Sequence, residues 1–184
     1  PSIILNFAGK VGGIDYNINK PAEIIFNNCK ITLNLFEISS QLKIKKLINI
    51  GSSCSYPSSN LTSLKEKSLF TGKLHSTVES YGFWKLLNIV ASKAYKKEKK
   101  LNSLNIIFPS LYGPYDKFDK INSHVISALI VKFLDSKKKN KKFINWWGDG
   151  RPVREFLFVE DAVEALIEII KSYRKMFNIP IGTV

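Results

Sequence analysis

Three side chains stand at spacings that suit proton transfer. Ser52 lies in Gly51-Ser52-Ser53-Cys54-Ser55-Tyr56-Pro57, directly after an apolar stretch, and Tyr81 and Lys85 lie in Tyr81-Gly82-Phe83-Trp84-Lys85. A run of small residues at the end of a buried strand is a common seat for a catalytic hydroxyl. Positions four apart share one face of a helix, about one turn from each other. Grouped this way, Ser, Tyr and Lys can move a proton to or from a sugar-like oxygen while a nicotinamide moves a hydride. A free phenol has a pKa of about 10, so it is a poor base at neutral pH. A cation one helical turn away favours the phenolate, and Lys85 is therefore expected to lower the pKa of Tyr81. Ser53 competes with Ser52 for the hydroxyl role, and either serine could instead serve ordinary turn chemistry at a strand end.

These residues need a scaffold, and the hydrophobic pattern supplies one. Residues 2–8, 46–51, 104–108, 142–147 and 156–159 read as strands. Residues 20–40, 80–98, 123–135 and 161–173 read as helices, with Pro21 in a first turn and a Lys-rich last turn near residue 98. Residues 57–78 read as loop and 111–114 as a turn. Short, near-continuous apolar strands alternating with helices imply βαβ units and a mostly parallel sheet covered on both faces.

Composition bounds the rest. The chain has 184 residues, enough for about one domain, and 45% are apolar. No apolar run approaches the roughly 18 residues of a membrane helix, so no membrane partner is expected. Net charge is +13, from 25 Lys and 3 Arg, with clusters at residues 96–100 and 137–142. Nucleic-acid readout favours Arg, which is scarce here, so the lysines read as solvated helix ends and no nucleic-acid partner is expected. A nucleotide-sugar substrate would also benefit from the positive field. Cys29 and Cys54 lack metal-ligand spacing and imply no disulfide framework, which points to the reducing cytosol and to no metal site.

Five stretches together resemble the extended short-chain dehydrogenase/reductases that act on nucleotide sugars, and among them the GDP-L-fucose synthases. They are Ala8–Gly13, Gly51–Pro57, Tyr81–Lys85, Leu111–His124 and Trp147–Asp161. The most specific parts are Ser-Ser-Cys-x-Tyr-Pro at 52–57, Asn122-Ser123-His124-Val125-Ile126, and Arg154-Glu155-Phe156-Leu157. The resemblance implies an α/β fold: a partial Rossmann-like doubly wound parallel sheet over residues 1–113, its first βα units missing. Residues 114–184 would be part of a smaller substrate-binding domain, interleaved with the last Rossmann elements.

The resemblance also assigns roles. NADP(H) would be the cofactor, touching Ile50, Gly51, Ser52, Ser53, Tyr81, Lys85, Phe108, Pro109, Ser110, Leu111 and His124. Tyr81 would transfer the proton at the sugar C4 oxygen, Lys85 would bind the nicotinamide ribose, and Ser52 would bond the C4 oxygen. Cys54 and His124 would be the base and the acid that invert C3 and C5 beside the C4 ketone. Without that role Cys54 is a small buried hydrophobe and His124 a structural residue at a helix start. Lys132, Trp147 and Arg154 would contact a GDP-sugar, and the full-length protein would be a homodimer. Rivals are an NAD-dependent 4-epimerase or dehydratase of another nucleotide sugar, and an inactive nucleotide-sugar-binding homologue.

Three departures from the pattern stand out. Gly9-Lys10-Val11-Gly12-Gly13 lacks the spacing of a dinucleotide phosphate loop and matches a later loop that lies over the cofactor. The chain therefore reads as a fragment lacking on the order of 55 to 60 preceding residues, about two βα units. Ser110 replaces an Asn, and Lys132 replaces an Arg, which keeps charge but loses the planar fork.

Overall fold

The computed structural model describes residues 2–58, 64–119, 123–145, 148–151 and 153–172. Three strands form a parallel sheet in the order β1 (Ile3–Asn6), β2 (Lys46–Ile50), β3 (Ser103–Ile106). In register, Leu5 stands beside Ile48, and Ile48 beside Leu104. The crossover from β1 to β2 carries α1 (Ile14–Asn19) and α2 (Pro21–Gln41), and the crossover from β2 to β3 carries α3 (Glu79–Lys99). A second parallel pair joins β4 (Ser110–Tyr112) to β5 (Phe156–Phe158), with α4 (Val125–Lys138) between them and α5 (Val159–Ser172) after β5.

Adjacent residues of a strand point to opposite faces of its sheet, and in β2 apolar residues at successive positions, Leu47 and Ile48, serve one face each. Leu47 packs with Phe36 of α2, Ala91 of α3 and Leu101. Ile48 packs the other way, with Leu104, Ile106, Phe108 and the Ala162, Leu166 and Ile169 stripe of α5. Strand β2 is therefore clothed on both sides. Strand β1 is not: Ile3 and Leu5 remain exposed, and Phe7 just beyond is 65% exposed.

Helices α2 and α3 make the broadest helix contact of the fold. Phe36 meets Tyr95 at 5.3 Å between ring centroids. Deeper in, polar side chains are enclosed between the helices: Trp84 donates from Nε1 to Thr32 Oγ1 at 2.8 Å, and Thr32 donates to Asn88 Oδ1 at 3.2 Å. Buried polar groups are tolerated when paired in this way. At the carboxyl ends of β1 and β2, Asn6 Nδ2 donates to Asn49 Oδ1 at 3.0 Å. Ligands of open parallel sheets bind at this edge.

The structure corrects the sequence reading in several places. The sheet is split, and residues 111–112, expected in a turn, belong to β4. Its partner β5 lies far along the chain, so no local pattern announces the pairing. Residues 142–145, expected in a strand, are irregular despite their apolar content, and residues 146–147 lie outside the described set. A strand needs a ladder partner, and β4 takes β5 instead. Helix α1 was not expected, because its Asn-rich sequence has low helix propensity. Buried Asn17 rescues it by donating to the Gly12 and Gly13 carbonyls at 3.1 and 2.9 Å. The segment 57–78 contains two short 3-10 turns, Glu66–Ser68 and Ser76–Val78.

Candidate active site

The chain leaves β2 through Gly51 and enters a 3-10 turn over Ser53–Ser55. Ser52, extended at φ −155°, caps that turn by accepting from the Cys54 amide at 3.3 Å. The Ser52 hydroxyl also faces the Tyr81 side chain, where it favours the phenolate. Helix α3 lies against the turn because residue 82 is glycine. A Cβ there would come within 2.3 Å of the Cys54 carbonyl oxygen. Gly82→Ala should gain about 1 kcal/mol of helix propensity and lose more to a backbone clash that only moving the turn can relieve. Turnover by the folded variant should drop about 100-fold, as expected for an ångström-scale misplacement. Unchanged kcat in a variant with native circular dichroism would refute this.

Lys85 is 8% exposed. Its Nζ donates to the Ile50 carbonyl at 2.7 Å, lies 3.9 Å from the Trp84 ring centroid and 5.5 Å from that of Tyr81. Thus Ser52, Cys54, Tyr81 and Lys85 form one cluster at the carboxyl end of β2. Its electrostatics differ from the sequence-based expectation. Burial pushes the Tyr81 phenol up to about 12; negative charge on Cys54 adds to this, and the Ser52 bond only partly offsets it. Burial pulls Lys85 down to about 8, against the attraction of Cys54. Desolvation of the phenolate outweighs the neighbouring ammonium, so Lys85 does not make Tyr81 a ready base.

That shift on Lys85 carries a stability signature. Between pH 8 and 10.5 the unfolded chain holds the Lys85 proton more firmly than the fold does. Folding stability should therefore rise with pH across this window, by on the order of 3 kcal/mol in total. Below pH 8 the full penalty of the buried ammonium is present. Urea unfolding of the wild type and Lys85→Met at two pH values about 2 units apart within this window isolates the contribution of Lys85. Wild-type stability that does not rise relative to that of Lys85→Met between the two pH values would contradict it.

His124 is placed in a second cluster. It precedes α4, is largely exposed, and its Nδ1 lies 3.5 Å from Asp116 Oδ1. The other Asp116 oxygen accepts from Ser127 of α4. Burial alone would raise the Asp116 carboxyl; hydrogen bonds from Ser127, the Lys117 amide and His124 overcome it and hold the carboxyl below its usual range. Ser123 ties the same loop by donating to the Lys117 carbonyl at 2.6 Å.

The remaining expected contacts scatter around these clusters. Phe108 is buried in the core with its side chain committed to packing, Pro109 and Leu111 are half-buried, and Ser110 is exposed on β4. Lys132 on α4 and Arg154 before β5 are exposed; Trp147 lies outside the described residues. Gly82, Trp84, Asp116 and Ser127 were missed by sequence reasoning. The first two lie inside the Tyr81–Lys85 motif, and a glycine and a tryptophan at helical positions between Tyr and Lys are the signal that was there to use.

Among curated relatives, the chain is 38% identical over 183 residues to a GDP-L-fucose synthase of Sinorhizobium fredii, covering 100% of this chain and 58% of the relative. It is 37% identical over 184 residues to a GDP-L-colitose synthase of Yersinia pseudotuberculosis, covering 99% and 60%. The chain thus spans about three fifths of the length of these relatives. Its fold superimposes with a TM-score of 0.87 on a GDP-L-fucose synthetase from Naegleria fowleri bound to NADP, at 24% identity, covering 100% of this chain and 60% of that one. Among the described residues no helix is long and apolar enough to cross a membrane. With the family model matched along residues 1–180, the chain belongs to the NAD dependent epimerase/dehydratase family.

Proposed function

We propose that the full-length protein converts GDP-4-keto-6-deoxy-D-mannose to GDP-L-fucose by 3,5-epimerisation and NADPH-dependent 4-reduction. The observation that carries this reading is the joining of Cys54 to the Ser52, Tyr81 and Lys85 cluster. A Ser-Tyr-Lys set alone suits any sugar-nucleotide reductase or epimerase; a thiol beside it adds a base for carbon acids.

The residues fit the nicotinamide-ribose half of the cofactor. An ammonium has three donors, of which the Ile50 carbonyl takes one, and a ribose diol suits the others. Half-buried Ile50–Ser53 backbone lies beside it at the carboxyl end of β2. When bound, NADPH supplies a hydride to C4. Ser52 bonds the C4 oxygen and polarises the ketone. Hydrogens beside that ketone are acidic because the enolate spreads the charge. Cys54 removes such a proton, and His124 returns one to the opposite face, at C3 and at C5. Tyr81 then gives its proton to the C4 oxygen. A phenol pushed up to about 12 suits this step, since it keeps its proton until an alkoxide, which is far more basic, develops.

In this reading residues 114–184 hold the GDP-sugar through Lys132, Trp147 and Arg154. The full-length protein is a homodimer, and exposed Phe26, Leu33, Phe83 and Val90 on α2 and α3 offer it an apolar face. The test supplies GDP-4-keto-6-deoxy-D-mannose and NADPH to the full-length protein, with NMR of the product. Net NADPH oxidation with inversion at C3 and C5 is expected. Folded enzyme that oxidises no NADPH would remove the reading, and a 4-epimer formed without net oxidation would favour the NAD-dependent rival.

A further inference from the structure

Trp84 is enclosed at 2% exposure. Its indole N–H is bound to Thr32, Thr32 donates to Asn88, and Asn88 Nδ2 donates back to the Trp84 carbonyl at 3.0 Å. This closed circuit spans α2 and α3 and fixes the ring. One face of the ring receives the Lys85 ammonium at 3.9 Å, and its edge relation to Tyr81 is 5.5 Å at 72°. The loop after β1 is shaped to the same ring: a Cβ on Gly9 would approach the indole to 2.5 Å. Asn28 then clamps the next residue, accepting from the Lys10 amide at 2.6 Å and donating to its carbonyl at 2.9 Å. Three separate elements thus meet on one indole.

We infer that Trp84 is a positioning residue for Lys85, its indole face holding the buried ammonium in place and in its charged form. The inference rests on reading Lys85 as the cation that orients the ribose. A desolvated ammonium gains most from a ring quadrupole, and indole offers the strongest one. Among the described residues, three elements bring groups to Lys85. From β2 comes the Ile50 carbonyl, from the 3-10 turn Cys54, and from α3 Tyr81. Helix α2 contributes the uncharged Thr32 through Trp84, and Gly9 of the loop after β1 lies close against the ring. Among the described residues the indole is thus the nearer of two rings over the ammonium, at 3.9 Å against 5.5 Å for Tyr81, and it is a partner outside the proton-moving set.

The test follows Lys85 by NMR titration of labelled lysine in the full-length protein. Trp84→Phe should lower the Lys85 titration slightly and Trp84→Leu by about one pH unit. A Leu variant titrating like wild type overturns the inference. If Trp84→Leu fails to fold, fluorinated tryptophans placed at position 84 keep the shape and weaken the quadrupole. Stepwise lowering of the Lys85 titration with added fluorine supports the inference, and a flat series overturns it. The alkaline limb of kcat/KM, recorded on the same series, separates the two readings. A titration that moves while the limb stays still supports the Trp84 assignment and removes the ribose-orienting role of Lys85.

Discussion

Tyr81→Phe should reduce the rate of C4 reduction about 100- to 10,000-fold, the usual range for loss of a positioned proton donor. Stability should change little, by about 1 kcal/mol at most, since the variant loses only the hydroxyl beside Ser52 and keeps the ring against Trp84. The pH behaviour makes the prediction sharper. A phenol acting as base with a depressed pKa would give activity that rises as the phenolate forms near neutrality. Burial instead pushes this phenol up to about 12, so the proton donor is fully loaded throughout the working range. Activity should therefore fall on the alkaline side near pH 8, where Lys85 loses its charge, long before Tyr81 ionises. Stopped-flow reduction at several pH values checks both parts. An alkaline limb that survives unchanged in Lys85→Arg, whose guanidinium does not titrate there, would assign the limb elsewhere.

This sign was not legible in the sequence. The spacing of Tyr81 and Lys85 gives one helical turn and so gives proximity, and the structure keeps them adjacent. It does not give dielectric. Enclosure of the phenol comes from the turn at Ser53–Ser55, which reaches α3 only because Gly82 has no side chain. The strands β1, β2 and β3 were legible because each is a short apolar run flanked by breakers, and α2 and α3 because they are long. The pairing of β4 with β5 was not, since three-residue strands contribute almost no pattern and their contact is non-local. His124 shows the same limit. Its motif locates the residue, whereas its contact with Asp116, which Ser127 holds in turn, depends on how a loop folds back onto the first turn of α4.

Cys54→Ser should separate the two halves of the reaction. The hydroxyl is nearly isosteric with the thiol, but its proton is held far more tightly than the thiol pKa of about 8.5. A serine in that place keeps the turn and loses the base. Exchange of substrate C3 and C5 hydrogens with heavy water should fall about 100-fold or more. Reduction of an already epimerised 4-keto substrate should fall much less. Some loss is expected even there, because negative charge on Cys54 helps to retain both the Tyr81 and the Lys85 protons. Its removal lowers both pKa values, which moves the alkaline limb of reduction to lower pH while leaving the plateau near wild type. Tyr81→Phe should show the mirror image, with exchange retained and reduction lost. Equal losses of exchange and reduction in Cys54→Ser, at a pH on the plateau, would mean that the cluster acts as one unit and that Cys54 does not divide the chemistry with Tyr81.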